Sequence, residues 1–354
     1  MATDRRTGQV ASKSVLLAPD KFRGTLTAAE FVAVAATAAA HAGWESIAQP
    51  MADGGEGLVE AFGGTTHTTV VTGPHGKPVE AAWRLEGERA VIESAAASGL
   101  LLAGGKSGND PLGATSLGTG ELIVAAVAAG ARQIIVGLGG SAMTDGGLAA
   151  VEIIDEQVGQ VTEAGVDLIV ACDVETVFTD AARVFGPQKG ADPKQVAQLS
   201  ERLIDVQEHY EQRFGTHLRD RGIDLATASG AGAAGGLGGG LLAIGGRLMS
   251  GLEVVAREVR LAEQMDRADA VVTGEGALDA ESFKGKVVGG VTRLARERDL
   301  PVLIVAGTVE DGLPELPDAV QLVDLTAQFG REASWARTAR CVEQSVESFC
   351  RSLS

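Results

Sequence analysis

Five acids stand out for the company they keep. Asp20, Asp53, Asp145, Asp173 and Glu275 each follow a short apolar run or sit among glycines. In open α/β sheets, ligands bind outside the carboxyl ends of the strands. Glycine there lets backbone N–H groups come close to an anion. A carboxylate at such a place can hold Mg²⁺ or take a proton from a hydroxyl. A plain turn or helix cap accounts for any one of these positions, but five on one inferred rim point to a ligand site.

Four segments carry this pattern. Asp20-Lys21-Phe22-Arg23-Gly24-Thr25 places two cations between a strand and a helix start, where a phosphate or carboxylate binds well. Asp53-Gly54-Gly55-Glu56-Gly57 sets two acids among three glycines, a composition that suits a loop. Gly137-Leu138-Gly139-Gly140-Ser141-Ala142, followed by Asp145-Gly146-Gly147, is a candidate nest of amides for an anion. Gly274-Glu275-Gly276-Ala277-Leu278-Asp279 leads into Lys284-Gly285-Lys286. No Walker A motif is present, because Leu100 stands where the first glycine before Gly105-Lys106-Ser107 would be needed. Gly230-Ala231-Gly232-Ala233-Ala234-Gly235 follows no strand-like run, so it reads as a packing or anion-binding loop.

The elements that position these residues follow from periodicity. Apolar runs at 15–18, 134–136, 168–171, 270–273 and 302–306 suit strands buried on both faces of a parallel sheet. Residues 27–41, 119–129 and 286–298 have helical spacing. The alternation implies an α/β fold with a doubly wound parallel sheet. Residues 68–72, 79–85 and 90–93 instead alternate as short strands joined by turns, and 180–254 reads as helical. Both stretches break the rhythm and are assigned to a second, inserted α/β domain. The expected division is a disordered tail over 1–14, a Rossmann-like domain over 15–60, 118–179 and 255–354, and an inserted domain over 61–117 and 180–254.

Composition narrows the function. With 354 residues, the chain exceeds the roughly 250–300 at which single cores stop growing. A formal charge of −17 repels nucleic acid and anionic membranes, so anions must be met by local cations or a metal. Three cysteines without a CxxC pair suit a reducing, cytoplasmic setting. The polar start lacks the apolar core of a signal peptide, and the glycine-rich run 231–246 is too short to span a bilayer.

Taken in chain order, these segments resemble the type I glycerate kinases. The resemblance is carried by Ala18-Pro19-Asp20-Lys21-Phe22-Arg23-Gly24-Thr25, Met51-Ala52-Asp53-Gly54-Gly55-Glu56-Gly57, Ala96-Ala97-Ser98-Gly99-Leu100, Gly118-Thr119-Gly120-Glu121, Gly139-Gly140-Ser141-Ala142, Asp145-Gly146-Gly147, Phe185-Gly186-Pro187-Gln188-Lys189-Gly190, Gly230-Ala231-Gly232 and Thr273-Gly274-Glu275-Gly276. It implies a Rossmann-like domain with an inserted domain and an active site in the cleft between them. It implies ATP, Mg²⁺ and D-glycerate as reactants and phosphoglycerate as product. Lys21, Asp53, Ser141, Asp145, Asp173, Lys189, Glu275 and Lys286 match the family's polar motif positions. The expected catalytic residues are Lys21, Asp53, Asp173 and Lys189; the expected nucleotide-binding ones are Gly139, Gly140, Ser141, Glu275 and Lys286; the expected metal ligands are Asp53, Asp145 and Glu275. Lys21, Arg23, Lys189 and Lys286 would neutralise phosphate, and Asp173 would take the acceptor's proton. A monomer or homodimer is expected. The chain departs from the family pattern at Met143, Thr144, Glu175 and Ala277, the last standing in place of an Arg. Those departures leave open a kinase for another small hydroxy acid, or a non-catalytic binding relative.

Overall fold

The computed structural model describes residues 12–22 and 24–354. Most of the expected tail, 1–11, and the expected phosphate-neutralising Arg23 lie outside the described residues, whereas Ser14 already opens the first strand.

Among the described residues the strands are β1 (Ser14–Leu17), β2 (Glu45–Ala48), β3 (His67–Thr72), β4 (Pro78–Glu86), β5 (Arg89–Glu93), β6 (Gln133–Gly137), β7 (Asp167–Ala171), β8 (Arg247–Met249), β9 (Ala270–Leu278), β10 (Val302–Val309) and β11 (Val320–Asp324). They form two sheets, and the chain divides into two compact α/β units: residues 1–51 with 259–354, and residues 52–258.

The first unit carries a parallel sheet ordered β11-β10-β9-β1-β2. The apolar runs of its inner strands, 15–17, 270–272 and 302–305, are fully buried, as a parallel sheet covered on both faces requires. The helix Ala28–His41 packs Phe31, Ala35 and Ala38 into the same core. It starts where the sequence dictates. Thr27 Oγ1 accepts from Glu30 N–H, and the Glu30 carboxylate accepts from Thr27 N–H, a reciprocal cap.

The second unit holds a six-stranded sheet ordered β3-β4-β5-β6-β7-β8, antiparallel through β5 and parallel beyond it. The two compact units divide the chain differently from the expected domains. Residues 118–179 belong with 52–258, because β6 pairs with β5 on one side and β7 on the other. Residues 52–60 and 255–258 likewise fall in the second unit. An apolar run shows that a strand is buried in a parallel sheet but not which sheet it joins. Within the expected helical stretch, Pro193–Asp220 is a 28-residue helix opened by a capping box of Asp192 and Gln195. Its Leu199, Leu203, Val206, Tyr210 and Phe214 repeat every three to four residues and are all buried.

Candidate functional site

In the first unit, residues 18–20 run on beyond β1 beside β9: Ala18 N–H donates to Val272 O and Asp20 N–H to Gly274 O, at 2.8 and 2.9 Å. That contact fixes Asp20 against the Gly274-Glu275-Gly276 motif. The chain then turns tightly. Phe22 and Leu26 exchange backbone hydrogen bonds, and Phe22 stacks on Phe31 at 5.2 Å between ring centroids. The Asp20 carboxylate accepts from Lys21 N–H at 2.7 Å and lies 3.7 Å from Lys21 Nζ, both side chains being largely buried.

Strand β9 extends past the expected end at Thr273, so Glu275 sits on the strand, paired in register with Ala306, not in a loop after it. The Glu275 Oε1 atom is buried and has no hydrogen-bond partner. Burial, aided by the charges of Asp20 and Asp279, pushes its carboxyl up to about 7, against the pull of Ser282 and Lys286. Asp279 is spoken for as a cap: it accepts from Ser282 N–H and Oγ. Lys286 opens the helix Val287–Arg296, while Lys284 pairs with Glu281 at the surface. The first unit thus gathers Asp20, Lys21, Glu275 and Lys286 around a buried carboxylate.

In the second unit, glycines let three loops touch. Gly54, at φ +82°, lies where a Cβ would come within 3.0 Å of Ala171 and Gly251, and a Cβ on Gly139 would come within 2.5 Å of Gly55. Glu93 holds the Asp53 loop, accepting from Gly57 N–H at 3.1 Å and Val59 N–H at 3.0 Å. Asp173 Oδ1 accepts from Gly251 N–H at 2.9 Å, and Gly251 packs directly on the Asp53–Gly54 peptide. Asp53 and Asp173 therefore share one supporting backbone.

The loop after β6 is stitched on both sides. Leu100 N–H donates to Gly140 O and Ala142 N–H to Ser98 O. Lys189, only 3% exposed, donates from Nζ to Ser141 Oγ at 2.9 Å and to Met143 O at 2.6 Å. Burial pulls this amine down to about 7, although the charge of Asp145 opposes the shift. Asp145 accepts from Ser116 N–H, Ser116 Oγ and Gly147 N–H at 2.8, 2.8 and 3.0 Å, and burial raises its pKa. The glycine run 230–246 supports the loop from below: Gly146 N–H donates to Gly235 O, and a side chain at Gly235 would overlap Met143 O. Of the two readings of that run, packing is the one its contacts display.

Among the described residues, no group of three or more His, Cys, Asp or Glu is placed so that it could hold a metal ion. Asp145 serves as a loop tie, since three protein donors already use its carboxylate. Lys189 spends two of its protons on the loop, one on Ser141 Oγ and one on Met143 O. The structure also adds residues to which the sequence assigns no task. Asp20 is legible only as one acid on the rim. Glu93, Asn109, Ser116 and Tyr210 carry no motif at all; Tyr210, for example, donates from its hydroxyl to Gly146 O at 2.9 Å from sixty-four positions away. Such long-range ties leave no spacing signal.

Known proteins resemble this chain in sequence and in fold. The pattern of the Glycerate kinase family matches residues 15–158 and 148–354. The chain is 36% identical over 339 residues to glycerate 2-kinase of Escherichia coli K12, covering 84% of this chain and 86% of that one. It is 36% identical over 388 residues to glycerate kinase of Bacillus subtilis 168, covering 94% and 97%. A crystal structure from Salmonella typhimurium LT2, provisionally assigned as glycerate kinase 2, matches with a TM-score of 0.78 at 32% identity over 97% of both chains. A family pattern spanning nearly the whole chain, with relatives of this identity and coverage, shows that the chain belongs to the glycerate kinase family.

Proposed function

We propose that this chain transfers the γ-phosphoryl group of ATP, with Mg²⁺, to a hydroxyl of D-glycerate. One observation carries the reading: the buried Glu275 carboxylate, with an unpartnered Oε1, stands beside Asp20 and within the influence of Lys286. A buried carboxylate oxygen without a hydrogen-bond partner is costly unless a cation or proton meets it. Paired acids with neighbouring ammonium groups suit a magnesium-nucleotide. Glu275 and Asp20 would hold the metal, which when bound neutralises charge on the phosphates.

The chain's own groups supply the rest. Lys21 and Lys286 bind phosphate oxygens. Asp53 orients the acceptor, and Asp173 takes the hydroxyl proton as the hydroxyl oxygen bonds to the γ-phosphorus and the bond to the ADP oxygen breaks. Little covalent chemistry is asked of the protein, so positioning and charge supply the rate. The amides of 139–141 bind an oxyanion.

Kinetics test this reading. Lys21→Ala should lower kcat/KM by about 10²–10³-fold, the loss typical of removing one preorganised donor. Asp53→Asn should act mainly on kcat. Unchanged turnover in both would remove the assigned roles. A second reading, a kinase for a different hydroxy acid, draws on Ala277, which is exposed on β9 where the family pattern places an Arg. An acceptor panel with ADP release as the readout separates the two.

A further inference from the structure

The Ser141–Lys189 contact fixes more than the loop. A lysine ammonium has three donors and no acceptor, whereas a serine hydroxyl has one donor and two acceptor sites. The 2.9 Å bond from Lys189 Nζ therefore makes Ser141 Oγ the acceptor and leaves the serine's own proton to serve another group. Among the described residues, no protein acceptor meets that proton, nor the N–H groups of Gly139, Gly140 and Ser141. Ser141 is 7% exposed and Lys189 3%, so the pair is built into the interior rather than lying on the surface. Three consecutive amides and one hydroxyl are thus donors without acceptors, backed by a buried amine in a chain of formal charge −17. Asn109 closes the arrangement. Its side-chain amide donates to Ala142 O at 3.1 Å and to Lys189 O at 2.8 Å, tying the glycine loop to the turn that carries the lysine.

We propose that Lys189 and Asn109 are positioning residues that turn Ser141 and the 139–141 amides into a four-donor seat for one oxyanion, the carboxylate of the acceptor or a phosphoryl oxygen. Lys189 does not touch the anion; it aims the Ser141 hydroxyl at it. The assignment of the ligand to an acceptor or donor substrate rests on the phosphoryl-transfer reading above, but the seat itself does not.

Calorimetry on the full chain tests it, with D-glycerate and inorganic pyrophosphate as separate probes. Ser141→Ala should weaken one probe by about tenfold or more, as loss of a charge-assisted hydrogen bond implies. Lys189→Met should weaken the same probe to a similar extent, and the double variant should bind no worse than either single one, because both remove one hydroxyl contact. Asn109→Ala should give a smaller loss on that probe. The weakened probe names the source: D-glycerate for the acceptor's carboxylate, pyrophosphate for the nucleotide. Additive losses in the double variant would overturn the lysine's positioning role, since the ammonium would then bind the anion directly. Unchanged affinity for both probes in Ser141→Ala would overturn the seat. This variant hardly alters packing, so its result decides the matter even if Lys189→Met misfolds. Absence of any glycerate phosphorylation would sink the kinase reading without touching the binding result.

Discussion

Replacing Glu275 with Gln removes an ionisable group while keeping its shape. The folded carboxyl titrates at about 7, against an ordinary value of 4.5. Below about pH 4.5 the folded and unfolded chains both carry the proton, and burial of the charge costs nothing. Between 4.5 and 7 the unfolded chain has released the proton and the folded one has kept it, so stability falls as pH rises. Above 7 the full cost stands. At about 1.36 kcal/mol per pH unit the difference is worth about 3 kcal/mol, trimmed to about 2 by partial exposure. With EDTA present, Glu275→Gln should therefore be more stable than the parent by about 2 kcal/mol at pH 8 and no different at pH 4.5. Hydrogen exchange of β9 and β10 amides under mild denaturant reads the first unit separately from the second. The same variant should lose most kinase activity. Equal or lower stability of the variant at pH 8, or a difference independent of pH, would refute the reasoning.

Thr27→Ala removes the reciprocal cap of the helix Ala28–His41 and should cost about 1 kcal/mol, seen as faster exchange in that helix. Gly251→Ala drives a methyl group into the Asp53–Gly54 peptide, which should displace Asp53 and lower kcat at least about tenfold; wild-type kcat would show that the loop is not held this way. Tyr210→Phe leaves Gly146 O without its buried donor and should cost about 1–3 kcal/mol in chemical denaturation. Asp145→Ala strips an acceptor from Ser116 and Gly147 at once and should destabilise the second unit by about 3 kcal/mol or more, with wild-type stability contradicting its role as a loop tie.

Local grammar is readable where it governs local structure. The apolar runs of β1, β6, β7, β9 and β10 mark strands, and Thr27 announces its helix. Which sheet receives β6 and β7 is hidden, because Ile134–Val136 and Val271–Val272 are equally apolar and only pairing partners distinguish them. Strands β2, β8 and β11 give no signal: they are three to five residues long and partly exposed, so no buried run marks them. In the candidate site, glycine-flanked acids and lysines are visible as residue types, but their tasks are not. Lys189 has the composition of a phosphate binder and is instead buried on Ser141 and Met143. Asp145 looks like a metal ligand and ties Ser116 to Gly147. Whether a charge faces a ligand or the protein's own backbone is decided by contacts between residues far apart in sequence.

The most direct test is phosphorus NMR of the purified chain with ATP, Mg²⁺ and D-glycerate. A new phosphomonoester signal should grow in step with ADP and be absent when glycerate or the metal is withheld. ATP left intact, or ADP and inorganic phosphate formed at the same rate with and without glycerate, would contradict the phosphoryl-transfer reading.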